Sequence, residues 1–363
     1  DNTVYIRVRA RDNVGNYSNW SSTGSAYAGN CCSPTTLNHN TPVTTATYPT
    51  HYVFSDASYM SKAVAISPHS SDHDIHVYTE GCQAGTYLAG SGWGGTVVDY
   101  VVAHWDVDGT FYPSATYGSS GTSTVEYQYS SFLNVGTPYT STFNYTHAIE
   151  VFEVYLTAGN TYDFTLTISG GGCNLGFGVG LPASGSWLSR SGMAFNVDAG
   201  GVGVSESNIG WTCPTSGYYV IVVFNNRASS TSNSSYTLLV NQCTTPGTPT
   251  GLTGTPTGTT SANLSWSAGS PAGSPTVTYY WSVGTSPSHT YTSGYTARGT
   301  TTSTSASTSA LSCGVTYYLR VYAYTSCDGT SSGYGTSSAF TTNPVSYTHL
   351  RAHETVLDLV CRL

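Results

Sequence analysis

"LSCGVTYYLRVYAYTSC", Leu311 to Cys327, is the stretch whose reading decides the fold. Between its two cysteines, aromatic and β-branched residues follow one another at the period of two that a half-buried strand requires. Working outward, the same texture recurs in "TVYIRVRA" (3–10), "NTYDFTLTIS" (160–169), "GYYVIVVF" (217–224) and "SANLSW" (261–266), each set among Ser, Thr and Gly. Outside the last residues no 3.6-residue apolar stripe competes with it. The reading is all-β, a set of tandem β-sandwiches.

Composition narrows the function classes. The 363 residues exceed what one core normally serves, about 250 residues, so several domains are expected. Charged residues make up 8%, Lys62 is the single lysine, and the formal net charge is −8. A chain with so few cations has no patch to neutralise phosphates, which argues against nucleic acid and against recruitment to anionic membranes. No apolar run reaches the roughly 20 residues of a membrane helix. Thirty tyrosines and seven tryptophans separate the chain from disordered sequences of equally low charge.

The stretch quoted first resembles the turn and sixth strand of a fibronectin type III domain. "PGTPTGLTGTPTGTTSANLSW" (246–266) is similar to that family's first two strands, "TVTYYWSVG" (276–284) to its third, and "SSGYGTSSAFTT" (331–342) to its last. The resemblance places Tyr317 at the family's tyrosine corner, a buried ring whose hydroxyl binds nearby backbone, and Trp266 at its core tryptophan. "TVYIRVRARDNVGNYSNWSS" (3–22) resembles the closing strands of a second such domain, so the chain is expected to begin inside one.

The middle of the chain reads as two related halves. "SSDHDIHVYTEG" and "DGTFYPSATYGS" in the first answer to "GGGCNLGFGVGL" and "SGYYVIVVFNN" in the second. Ile75 and Val77 align with Leu175 and Phe177, and Phe111-Tyr112 with Tyr218-Tyr219, a repeat of about 100 residues. Ala158-Gly159, Tyr162 and Gly217-Tyr218-Tyr219, with Asp72 to Tyr78 in the first half, resemble the bacterial pre-peptidase C-terminal type of β-sandwich. A single larger lectin-like jelly-roll is the alternative. The expected organisation is a fibronectin-like fragment (1–30), two sandwiches (31–135 and 136–243), a fibronectin-like domain (244–343) and a foreign tail (344–363).

Candidate chemistry is sparse. In "PHSSDHDIHVY" (68–78), Asp72, Asp74 and His76 project from one strand face, with His69 and His73 close by. Such a set suits Ca²⁺ through its carboxylates, or Zn²⁺ or Cu²⁺ through its histidines, unless the aspartates only cap a turn. Asp106 and Asp108 in "HWDVDGTFY" echo a calcium loop but lack its distal glutamate. No nucleophile elbow or H-E-x-x-H is present, and Glu150 and Glu153 fall on opposite strand faces, unlike a glycosidase pair. No catalytic residue is assigned. Trp93, Trp187 and Trp211 lie in Gly/Ser loops, where a ring can stack on a sugar or fold over the sandwich edge.

"VSYTHLRAHETVLDLVCRL" (345–363) differs in composition from all that precedes it and resembles translated sequencing-adapter read-through with a barcode-sized gap. Setting Cys361 aside leaves Cys31, Cys32, Cys82, Cys173, Cys213, Cys243, Cys313 and Cys327, an even set that suits a secreted, disulfide-bearing protein. Cys173 with Cys213 is the expected bridge within one domain, and Cys31 or Cys32 with Cys82 or Cys243 another. The resemblances imply accessory modules of a large secreted bacterial surface protein. These serve as adhesion or spacer units, or bind polysaccharide or cell-surface glycan for a catalytic domain elsewhere in the parent chain. No cofactor is expected beyond the Ca²⁺ of that one cluster.

Overall fold

The β-branched and aromatic alternations become strands throughout. The computed structural model describes residues 3–6, 24–27, 33–45, 50–69, 71–83, 85–116, 121–226, 230–270, 277–325, 327 and 329–345, with backbone alone for 3–6, 24–27 and 82. Cys31, Cys32, the Cys82 side chain, most of the 1–30 fragment and the adapter-like 346–363 lie outside the described residues. Within that first fragment β1 (Thr3–Ile6) pairs antiparallel with β2 (Gly24–Tyr27), as a strand-turn-strand unit should.

The first sandwich comprises β3 (Thr35–Thr36), β4 (Val43–Thr45), β5 (Thr50–Asp56), β6 (Lys62–Pro68), β7 (Asp74–Tyr78), β8 (Tyr87–Ser91), β9 (Asp99–Ala103), β10 (Gly109–Thr116) and β11 (Ser123–Tyr129). The second comprises β12 (Ser131–Leu133), β13 (Tyr139–Phe143), β14 (Ile149–Leu156), β15 (Thr161–Gly171), β16 (Leu175–Gly180), β17 (Trp187–Ser189), β18 (Phe195–Val197), β19 (Glu206–Thr212), β20 (Gly217–Asn225) and β21 (Ser234–Gln242). Sheet order β3-β5-β10-β7-β8 in the first matches β12-β14-β20-β16-β18 in the second, and β9-β6-β11-β4 matches β19-β15-β21-β13. Each copy even opens with a parallel pair, β3 on β5 and β12 on β14. The halves are therefore duplicates in topology. Their register differs from the sequence alignment by one residue at one point: Gly109 and Gly217 both open a strand, which equates buried Phe111 with buried Tyr219 and not with exposed Tyr218. A one-residue slip exchanges sheet faces, so burial decides it.

β17 has no counterpart in the first copy. It leaves the second sandwich and pairs antiparallel with β9 of the first, Trp187 opposite Ala103 and Ser189 opposite Val101. The sandwiches are also joined face to face. Ala63, Ala65, Tyr100 and Val102 of β6 and β9 pack on Ile149, Val151, Val220, Val222 and Phe224 of β14 and β20 in a core distinct from the two internal ones. Four sheets thus stack in series. Strands of the two middle sheets are covered on both sides, which is why β6 is buried at every position and "YVIVVF" runs apolar without alternation.

The third sandwich sets β22 (Thr250–Pro256), β23 (Ala262–Ser267) and β26 (Ser305–Thr308) against β24 (Val277–Gly284), β25 (Ala297–Thr301), β27 (Thr316–Thr325), β28 (Gly335–Thr336) and β29 (Phe340–Thr341). Buried Trp266 and Tyr317 sit in its core. The Tyr317 hydroxyl accepts the Ser312 N–H at 2.9 Å, as the corner requires. Tyr162 repeats the device in the second sandwich, accepting the Thr157 N–H at 3.0 Å.

The disulfide expectations need correction. Cys243 bridges Cys327, with Cα atoms 5.7 Å apart, and so joins the end of the second sandwich to the end of β27. It is not tied to Cys31 or Cys32. Gly210, at φ +74°, lies against this bridge, where a Cβ would meet the Cys327 carbonyl oxygen at 2.5 Å. Cys173 and Cys213 do not bridge each other. Cys213 N–H bonds Asn160 O before β15 begins, whereas Cys173 N–H bonds Ser234 Oγ, opposite the far end of that strand. Eleven residues of strand span roughly 33 Å at about 3.3 Å per residue, far beyond the ~7 Å limit for bridged Cα atoms. Cys313 is disulfide-bonded as well.

Candidate functional site

The carboxylate cluster forms at one end of the first sandwich, with a member the sequence did not single out. Asp72 and Asp74 gather with Asp99, one oxygen of each within 4.8 Å of the others. His76 shares the Asp74 face of β7, but its Nδ1 lies 3.1 Å from Thr116 Oγ1, outside the trio. Asp99 opens β9 and is fully buried. It accepts Ser91 Oγ–H at 2.5 Å and the Trp93 N–H at 2.9 Å. Burial pushes its carboxyl up to about 7, Asp74 adds to that, and the two hydrogen bonds and Arg190 oppose it. Asp74 is likewise raised, by burial first and by Asp72 second, with His76 pulling the other way. Asp72 Oδ1 is buried with no hydrogen-bond partner. Three converging carboxylates with an unsatisfied oxygen have the donor chemistry that an oxygen-seeking divalent cation takes.

Arg190 borders this cluster from the second sandwich, delivered by the turn after β17. It is buried, donates to Val98 O, and its guanidinium carbon lies 4.7 Å from the Trp93 ring centre and 4.4 Å from that of Phe224. Burial lowers its pKa, and neighbouring Tyr100 and Asp99 resist the change. Trp93 is 41% exposed. Trp187 instead packs edge-on against Phe111 and Phe54 in the first core. Trp211 packs against Phe195, Tyr219 and Phe164 in the second. Asp106 accepts the Gly185 N–H at 2.8 Å and the Ser184 hydroxyl, which hold it down at about 2. Asp108 pairs with Lys62 at 3.2 Å. Asp106 therefore ties the first sandwich to the turn before β17 of the second, and Asp108 pairs within the first.

A polar cleft of 320 Å³ opens where the two sandwiches meet, lined among others by His39, Gln128, Asn144, His147 and Glu150. Behind it, buried Glu126 accepts His147 Nδ1 at 2.6 Å, the Ala148 N–H at 2.7 Å and Gln128 Nε2 at 2.9 Å, so its oxygens are committed to holding the junction. Glu150 faces Tyr236, whose hydroxyl donates to it. Burial pushes Glu150 up to about 7, the Tyr236 bond and His147 pull it down, and Glu126 adds to the rise. Glu153 points to the opposite side of β14, as the alternation predicts: Glu150 faces Tyr236 of the opposing sheet, and Glu153 accepts the Ser61 N–H of the first sandwich.

Sequence reasoning passed over Asp99 and Arg190, and read Glu153 only as facing away from Glu150. Each had a signal, a lone charge in an apolar run or in a chain with few charges, but not the partner that gives it meaning.

No protein-family model matches the chain, and no curated protein matches it. Among solved structures it is similar to the sixth fibronectin type III domain of human fibronectin type III domain containing protein 3. That match has 21% identity over 30% of this chain and 94% of the domain, with a TM-score of 0.23. It is also similar to PliG from Aeromonas hydrophila, a periplasmic lysozyme inhibitor of g-type lysozyme, at 21% identity over 31% of this chain and 98% of that one, TM-score 0.21. Among the described residues no helix is long and apolar enough to cross a membrane.

Proposed function

We propose that this chain is a non-catalytic structural segment of an extracellular bacterial protein, a stiff spacer or adhesion region that carries binding surfaces at a fixed geometry. The observation that carries the reading is the shared core between β6, β9, β14 and β20, reinforced by the strand β17 that crosses it. Neighbouring domains move relative to one another unless their interface is large and apolar, and this one is apolar and fully buried. The Cys243–Cys327 bridge adds a covalent tie to the third sandwich and suits an oxidising compartment.

The reading is tested by unfolding the chain in urea while following hydrogen exchange in β10 and in β21, one strand from each sandwich. A stiff block loses protection in both strands in one transition, and Phe224→Ala shifts both together by about 3–5 kcal/mol. Two independent transitions, with only one moved by the substitution, would refute it. Carbohydrate binding is the second reading, favoured by the exposed Trp93 ring beside Asp99. Insoluble-polysaccharide pull-down that depends on Trp93 would establish it. In either case we propose that Asp72, Asp74 and Asp99 hold Ca²⁺.

A further inference from the structure

Exposed aromatic surface gathers beside the core shared by the two middle sheets. Beyond the shared core, the face of β14 that carries Ile149 and Val151 presents Glu153 and then exposed Tyr155. Strand pairing sets Phe132 beside Glu153 and Tyr218 beside Tyr155. Tyr218 meets Phe132 edge-on at 5.9 Å and Tyr155 at 5.2 Å, so the rings stand as walls at steep angles. From the first sandwich come Trp105, 39% exposed after β9, and Tyr59, 71% exposed after β5. Tyr59 holds a left-handed φ of +52°, rare for an aromatic residue and found where surrounding structure enforces it. Tyr59, Trp105, Phe132 and Tyr218 line a cleft of 230 Å³ together with Glu153.

Glu153 determines what the cleft selects. It is 1% exposed, and its described hydrogen bond is the Ser61 N–H to Oε1 at 3.0 Å. The ion pairs among the described residues join Lys62 to Asp56 and Asp108, His104 to Asp106 and His147 to Glu126, and none reaches Glu153. A buried carboxylate without a counter-ion is costly, and aromatic faces carry negative potential that attracts a cation. A metal ion would need several more oxygens than one carboxylate provides. A sugar would stack on the rings yet leave the charge uncompensated. We propose that this cleft binds an alkylated ammonium group, its charge over the rings and against Glu153, in a site that neither sandwich forms alone.

The test titrates the full chain with choline and with 3,3-dimethylbutan-1-ol, its uncharged carbon analogue, by calorimetry. Choline is expected to saturate one site, and the uncharged analogue to bind at least about tenfold more weakly. Glu153→Gln should weaken choline by about tenfold or more while leaving the analogue unchanged. Phe132→Ala and Trp105→Ala, on exposed rings, should weaken choline and leave the unfolding midpoint in place, so the test survives even if Glu153→Gln misfolds. N-acetyl-lysine amide identifies the source. Binding as tight as choline assigns a lysine side chain of a protein partner, and binding tenfold weaker assigns a methylated small molecule or polymer headgroup. Equal affinity for choline and its analogue, saturation by cello-oligosaccharide without saturation by choline, or choline binding that ignores the ring substitutions would each overturn the proposal.

Discussion

Glu150 offers a stability switch whose sign and size follow from its surroundings. In the unfolded chain its carboxyl titrates near 4.5, and in the folded one burial lifts it to about 7. Because the folded value is the higher, the contribution is fully present below about pH 4.5 and is lost as pH rises through 7. At 1.36 kcal/mol per unit, the loss between pH 5 and pH 8 comes to about 2.5 kcal/mol. Glu150→Gln preserves an acceptor for the Tyr236 hydroxyl and removes the titration. Urea unfolding at pH 5 and pH 8 should therefore show the parent chain losing about 2.5 kcal/mol more than the variant across that interval. Asp99, also lifted to about 7, contributes in the same direction to both proteins and cancels in the difference. Identical pH slopes for parent and variant would show that the Glu150 carboxyl is already ionised at pH 5 and would refute the reasoning.

Three further outcomes are expected. Cys243→Ser opens the loop of 84 residues closed by the bridge to Cys327 and should cost about 4–5 kcal/mol by chain entropy, read as a drop in the denaturant midpoint that reductant reproduces in the parent. Tyr317→Phe strips the acceptor from the Ser312 N–H and should destabilise the third sandwich by about 1–3 kcal/mol, visible as earlier hydrogen exchange in β27 while β14 stays protected. Ca²⁺ at a hundredfold excess over its dissociation constant should add about 2.7 kcal/mol, an effect that Asp72→Asn abolishes; no thermal shift with Ca²⁺ would remove the cation from this site, and a shift with Zn²⁺ alone would point to the histidines.

Much of the fold was legible in single segments. Strands at Tyr162 and Tyr317 announced themselves by alternation, and the corner at Tyr317 by a turn followed by a strand whose first aromatic must bury its hydroxyl. The opposite orientations of Glu150 and Glu153 follow from counting along one strand. The site was legible only in part. Asp72 and Asp74 sit two residues apart and could be seen together, whereas Asp99 joins them from another strand and Arg190 from another sandwich. The pairing of Cys173 with Cys213 failed because their nearness along the sequence conceals the length of β15 between them.

The sequence by itself determined a chain of strands, the duplication of its middle, and its poverty of charge. These are properties of short windows, set by the two-residue period of the backbone and by composition. Tertiary structure alone decided which outward faces meet: that β6 and β20 are covered twice, that β17 crosses into the other sandwich, that Cys243 finds Cys327, and that Tyr59, Trp105, Phe132 and Tyr218 line one cleft with Glu153. A strand's period tells which residues share a face, but what lies across from that face depends on segments up to about 160 residues away, brought there by the packing of whole sheets.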